Sequence, residues 1–216
     1  MVKKRPTSKQ SSKAARRRAS PARRARPKRA ARRGTAKPAT RSPRPVGGRP
    51  IPAAPGDQVL RGQLIQLLRG GHAHITFADT IREWPTGLRG RKPPGAAHTP
   101  WEVLEHLRIA QWDILEFSRD PAHRSPPRLE EYWPPSEAPP DDQAWERSVR
   151  EFEADLQNME KLVADPRRNL HSRVNHPDAQ AHHTLAREAA VLAIHNGYHI
   201  AELVMLRRLL GAWPGA

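Results

Sequence analysis

Apolar residues recur along this chain at helical spacing in four segments, and nowhere with the period of two that marks a strand. The first segment carries Leu60, Leu64, Leu67, Leu68, Ile75, Ala78 and Ile81. It predicts a helix from about Asp57 to Glu83, with Asp57 as its N-cap after Pro55-Gly56 and a kink at Gly70-Gly71. The second carries Val103, Leu107, Ala110, Ile114 and Phe117 and opens on Thr99-Pro100-Trp101-Glu102. That run is a capping box with proline at the first helical position, and Pro121 bounds the helix at its other end. In the third, Trp145, Val149, Phe152, Leu156, Met159 and Val163 alternate in steps of four and three, the seam of a bundle. This helix starts near Asp141-Asp142 and stops at Asp165-Pro166. The fourth runs from Thr184 to about Leu210. Arg207 and Arg208 suit its C-terminal dipole, Gly211 a left-handed cap, and Pro214 bars continuation. The predicted fold class is therefore all-α, a four-helix bundle over residues 57–216.

The fourth segment holds the candidate chemistry. Leu185, Leu192, His199 and Leu206 lie seven apart and form one seam position, and His195 and Leu209 fall on the other. His195 and His199 are one turn apart on the face meant for the core. Buried imidazoles need partners. Two readings follow: histidines bonded to backbone or water, or two ligands of one metal ion. A third imidazole, His106, lies on the apolar stripe of the second helix, one turn from Val103 and from Ala110. Bundle cores are where metal sites are built from facing helices, and three neutral imidazoles with one open position make a catalytic site.

Glu105 and Asp113 flank His106 on other faces of the same helix and read as solvated charges rather than bases. Glu202, one turn after His199, is placed to orient that ring. Trp112, Trp133 and Tyr198 read either as pocket walls or as core. His72 and His74, two apart, read as surface or partly buried residues; His171, His176, His182 and His183 fall in a loop. Residues 121–140 hold seven prolines, a connection that either covers a site or simply crosses the surface.

Charge changes the picture at the N-terminus only. Of the 38 Lys and Arg, 19 fall in residues 1–56, where there is no acid; residues 57–216 carry a net charge of −3. The first segment is Lys, Arg, Ala, Pro, Ser and Thr with almost no core-forming residue. It is expected to be a disordered tail, suited either to non-specific contact with nucleic acid or to solubilisation alone. Cysteine is absent, which excludes disulfides, thiolate ligands and a protein thiol nucleophile. Read by its apolar runs, the chain offers no membrane span and no secretory signal, so a cytoplasmic location is expected, at the nucleoid if the tail contacts nucleic acid.

TPWEVLEHLRIAQWDILEF, followed much later by HNGYHIAELVMLRRLLGAW, resembles the DinB/YfiT-like family of bacterial four-helix-bundle proteins. The resemblance covers most of residues 57–213 and none of the tail. It implies that His106, His195 and His199 bind a divalent metal, zinc or nickel, in a bundle of unusual helix order that often forms homodimers. It also implies, for some relatives, a thiol transferase using small bacterial thiols. The family often has Gly-Gln where this chain has Ala201-Glu202. Two functions then compete. One is a metal-dependent transferase or hydrolase acting on small molecules. The other is a non-catalytic metal-binding or scaffold bundle tethered to nucleic acid by the basic tail.

Overall fold

The computed structural model describes residues 55–214, and these are all helix, turn and loop, with one isolated bridge between Arg173 and Thr184. The expectation of a disordered tail falls on residues outside that range. Five helices appear in order: α1 (Pro55–Arg69), α2 (Phe77–Ile81), α3 (Pro100–Arg119), α4 (Ala144–Ala164) and α5 (Leu185–Leu209). The four long ones form the bundle. α3 packs against both α4 and α5, and α1 lies across α4 and α5.

The first predicted helix is thus two helices. Gly70 and Gly71 both take positive φ (70° and 82°), a conformation that ends a helix rather than kinking it. Thr76 then caps α2, its hydroxyl accepting from the Asp79 N–H. Asp57 sits inside the first turn of α1 instead of capping it, and its carboxylate accepts from the Arg61 guanidinium at 2.9 Å. Arg61 also donates to the carbonyls of Val163, Asp165 and Arg168, so this buried cation closes the C-terminal end of α4.

The capping box at Thr99 forms as expected. Thr99 Oγ1 accepts from the Glu102 N–H, and Glu102 reaches back to the Thr99 N–H at 2.7 Å. Gly211 is left-handed (φ 67°) and follows α5. Arg207, read as a dipole partner, does more: it is 2 % exposed and donates to the carbonyls of Thr80, Glu83 and Ala212. That ties the end of α5 to α2.

Two apolar clusters fill the bundle. One gathers Phe77, Trp84, Trp101, Leu104, Trp145, Phe152 and Leu203; the other gathers Leu64, Leu68, Leu115, Met159, Leu170, Leu185 and Leu192. On α5 the seam through Leu185, Leu192, His199 and Leu206 is buried, but Leu209 is 58 % exposed, as are Ile194, Tyr198 and Met205 on the outer side. A straight helix drifts about 20° per heptad against a 3.5-residue seam, so by its last turn the position of Leu209 has rotated out of the core while Leu206 and Arg207 remain buried. By length and composition alone α5 is also long and apolar enough to cross a membrane. Its histidines, Asn196 and Glu202 interrupt the run while its leucines pack into the bundle.

Candidate metal centre

The site lies between α3 and α5. The capping box fixes where α3 starts, which sets His106 two turns in, on the side facing α5. α5 carries His195 and His199 one turn apart toward α3. Each of the three imidazoles offers a nitrogen, and these atoms all lie within 4.8 Å of one another. His106 Nε2 and His195 Nε2 are 3.1 Å apart.

Hydrogen bonds at the far side of two rings fix which nitrogen is offered. His106 Nδ1 lies 2.9 Å from the Tyr132 carbonyl, which can only accept, so Nδ1 carries the proton and Nε2 a lone pair. His199 Nδ1 lies 2.9 Å from the Glu202 carboxylate, which leaves its Nε2 free in the same way. Neutral imidazoles held by a carbonyl or a carboxylate at the opposite nitrogen are the arrangement seen around metal-ligating histidines. Burial lowers the His106 pKa, and burial with the neighbouring His199 and His106 lowers that of His195 to about 4. Both are uncharged at neutral pH, as ligands must be. With metal–nitrogen bonds of ~2.0–2.1 Å, tetrahedral ligand atoms sit about 3.3 Å apart, so the 3.1 Å approach needs little adjustment.

The pattern of the DinB superfamily matches residues 76–203, more than half of the chain. The chain belongs to the DinB superfamily. No curated protein and no solved structure matches it. The match covers α2 to the end of the triad on α5 and leaves out residues 1–75. Proteins of the DinB superfamily are in general metal-binding, and this one presents a three-histidine group where a cation fits.

Residues outside the triad finish the DinB site. The proline-rich connection between α3 and α4 does cover it. Its 3-10 turn, Leu129–Tyr132, supplies the carbonyl that holds His106, and the next residue, Trp133, lies flat on the His106 ring at 4.0 Å and 4°. Trp133 also stacks on His98 at 4.0 Å. Glu202 accepts from His199 with one oxygen and contacts His98 Nδ1 at 3.2 Å with the other. Those two imidazoles, His199 first, hold the Glu202 carboxyl below the usual range. Glu202 thus contacts the His199 ring, as its place one turn later on the helix leads one to expect.

Of the aromatics read as pocket or core, Trp133 is at the site. Tyr198 is 71 % exposed with its ring 4.9 Å from His199, and Trp112 lies against His123, away from the triad. Glu105 and Asp113 are not solvated. Glu105 pairs with Arg108 at 2.8 Å and accepts from Ser148; Asp113 accepts from His123 at 2.7 Å and from the Tyr132 hydroxyl at 2.7 Å. They lie on a helix whose other faces are covered by α4 and by the connection, so a charge there needs a partner. His98 and the Tyr132 carbonyl were missed. Neither lies on an apolar stripe; the available signal was Tyr132-Trp133 between proline pairs, which marks a connection held in place. An open groove of ≈ 590 Å³, with His98, Glu102, Arg128, Trp133 and Pro134 in its wall, adjoins the site.

Proposed function

We propose that this DinB protein is a metal-dependent enzyme acting on small molecules, with His106, His195 and His199 holding zinc or nickel. The reading rests on one observation: three imidazoles from two helices bring their nitrogens within 4.8 Å, with two rings locked so that lone pairs face inward. A bound divalent ion would supply Lewis acidity, lowering the pKa of a small thiol or water. With no cysteine in the chain, the nucleophile is that thiol or water. Tyr132 and Glu202 hold the ligand rings, Trp133 covers the face of His106, and the groove beside Trp133 and His98 takes the electrophilic partner. Thiol transfer to that partner, or hydrolysis of a conjugate, is the reaction class. The test is metal analysis of the purified protein, then conjugation of a small bacterial thiol to an electrophile with and without chelator. One metal per chain and chelator-sensitive turnover are expected; turnover that survives complete metal removal refutes the enzyme.

A second reading concerns partners. The charge of +19 on residues 1–56 favours a tether to nucleic acid near the nucleoid in the cytoplasm, with the bundle as metal-binding module. Deleting residues 1–54 should abolish salt-dependent DNA retention and leave the helical spectrum unchanged. Equal DNA binding by both forms refutes it. The outer stripe of Ile194, Tyr198, Met205 and Leu209 on α5 favours a homodimer, tested by sedimentation.

A further inference from the structure

His98 lies in the loop ahead of α3 and touches the supports of two triad rings. Its Nδ1 stands 3.2 Å from one oxygen of Glu202, whose other oxygen holds His199 Nδ1 at 2.9 Å. A carboxylate only accepts, so His98 Nδ1 carries the proton of that contact. The His98 ring also stacks on Trp133, with centroids 4.0 Å and planes 21° apart, and Trp133 in turn lies on His106 at 4.0 Å and 4°. Rings so close and so nearly parallel to one indole take its opposite faces. One imidazole outside the triad thus backs the carboxylate behind His199 and the indole over His106.

These two supports come from separate elements. Glu202 is on α5, and Trp133 follows the 3-10 turn of the proline-rich connection. Both are only partly buried, so each retains side-chain freedom that a partner on its far side removes. His98 is itself placed by its neighbour Thr99. The Thr99 hydroxyl accepts from the Glu102 N–H in the capping box and donates to the Glu137 carbonyl at 2.7 Å. The start of α3 therefore sets His106 by helical phase and reaches Glu202 and Trp133 through His98. At 32 % side-chain exposure His98 adds little to the core, so its loss is separable from unfolding.

We propose that His98 is a positioning residue for two ligands at once: its Nδ1–H keeps Glu202 on His199, and its ring keeps Trp133 on His106. The effect on a bound cation rests on the metal-site reading; the two contacts do not. His98 also stands in the wall of the groove beside the centre. A molecule seated there lies against the side chain that sets both rings.

The test compares full-length wild type with three variants. His98→Asn keeps an N–H donor near the place of Nδ1 and loses the ring. His98→Phe keeps a flat ring and loses the donor, and His98→Ala loses both. Competition for zinc against a chromophoric chelator should place His98→Ala roughly tenfold to a hundredfold below wild type, with the other two between. Melting temperatures should stay at the wild-type value. In the metal-free proteins, proton and nitrogen-15 spectra of labelled histidine read the two contacts separately. The ring-current shift of Trp133 on His106 should persist in His98→Phe and fade in His98→Asn and His98→Ala. The His199 Nδ1–H signal should persist in His98→Asn and weaken in His98→Phe and His98→Ala. Unchanged zinc affinity in His98→Ala, or His106 and His199 signals that move together in every variant, overturns the proposal. So does an equal loss of affinity in all three with a lowered melting temperature, because His98 would then act on the fold alone. If wild type binds no zinc while the two signals separate as expected, the metal reading fails and the two contacts stand.

Discussion

Two groups of buried or half-buried histidines lie on either side of Tyr132, and they differ in how their ring nitrogens are satisfied. In the first group His123 Nε2 meets Asp113 at 2.7 Å, His176 Nε2 donates to the His123 carbonyl at 3.0 Å, and His176 Nδ1 accepts from the Asp178 N–H. There His123 Nε2 and both nitrogens of His176 have partners within the protein. In the second group the far nitrogens of His106 and His199 are matched, and the near ones converge. Burial alone does not separate them, since His123 and His199 are each 8 % exposed, although His106 and His195 are only half-buried. What differs is the direction of the unused lone pairs. The first group is a structural brace and the second a three-histidine group that could hold a metal ion. Tyr132 joins them: its hydroxyl donates to Asp113 and its carbonyl accepts from His106.

The largest effect should come from removing the convergent nitrogens. A His106→Ala, His195→Ala double variant is expected to lose metal entirely, from about one ion per chain to none by elemental analysis. Asp113→Ala in the brace should retain it. Equal metal content in the double variant and wild type would erase the distinction between the groups.

Protons should do reversibly what those substitutions do. The folded pKa of His195 is lowered to about 4 from its ordinary 6.5, and that of His106 is lowered as well, chiefly by burial. The unfolded chain therefore binds more protons between those values, so stability of the metal-free protein should fall as pH drops from about 6.5 to about 4 and level off below. The full contribution is present above pH 6.5. Melting temperatures over that window check it, and His195→Ala should flatten the slope. A slope that persists unchanged in the variant would place the titrating groups elsewhere.

The brace should matter to stability first. Asp113→Ala leaves the His123 nitrogen and the Tyr132 hydroxyl without their acceptor, at a cost of about 3 kcal/mol. Urea denaturation measures it. Glu202→Ala should show the opposite profile, with metal affinity down roughly tenfold to a hundredfold and stability nearly unchanged, because Glu202 anchors a ligand from a half-exposed position.

What the sequence revealed divides along the same line. The triad was legible because His106, His195 and His199 sit on apolar stripes, where a polar residue stands out against leucines. α3, α4 and α5 were legible for the same reason, together with the Thr99 capping box. The anchors were not, apart from Glu202, which shares a helix with its ligand. Tyr132 acts through its backbone carbonyl, which no side chain advertises. His98 precedes its helix and reaches the site through Glu202 and Trp133, contacts that span 104 and 35 positions of chain. Asp113 and Glu105 were misjudged because helical phase shows which face a charge occupies but not that another element covers that face. The division of the first helix turned on Gly70 and Gly71, where a kink and a stop look alike until φ is known.

The smallest expected effect is the most telling. Tyr132→Phe removes one hydroxyl from the brace and leaves the carbonyl on His106 and the stacking of Trp133 in place. Asp113 keeps the bond from His123 to Oδ1 and loses the one to Oδ2, a hydrogen bond to a carboxylate worth about 1.5 kcal/mol. If the two groups are independent, urea denaturation registers that loss and zinc affinity does not move. If instead the hydroxyl holds the 3-10 turn in register over His106, affinity falls with stability, and brace and centre are one coupled unit. The short reach between the two ends of a single tyrosine, with Trp133 already pinned between His98 and the ring it covers, favours independence: the stacking contacts alone suffice to keep the turn over His106.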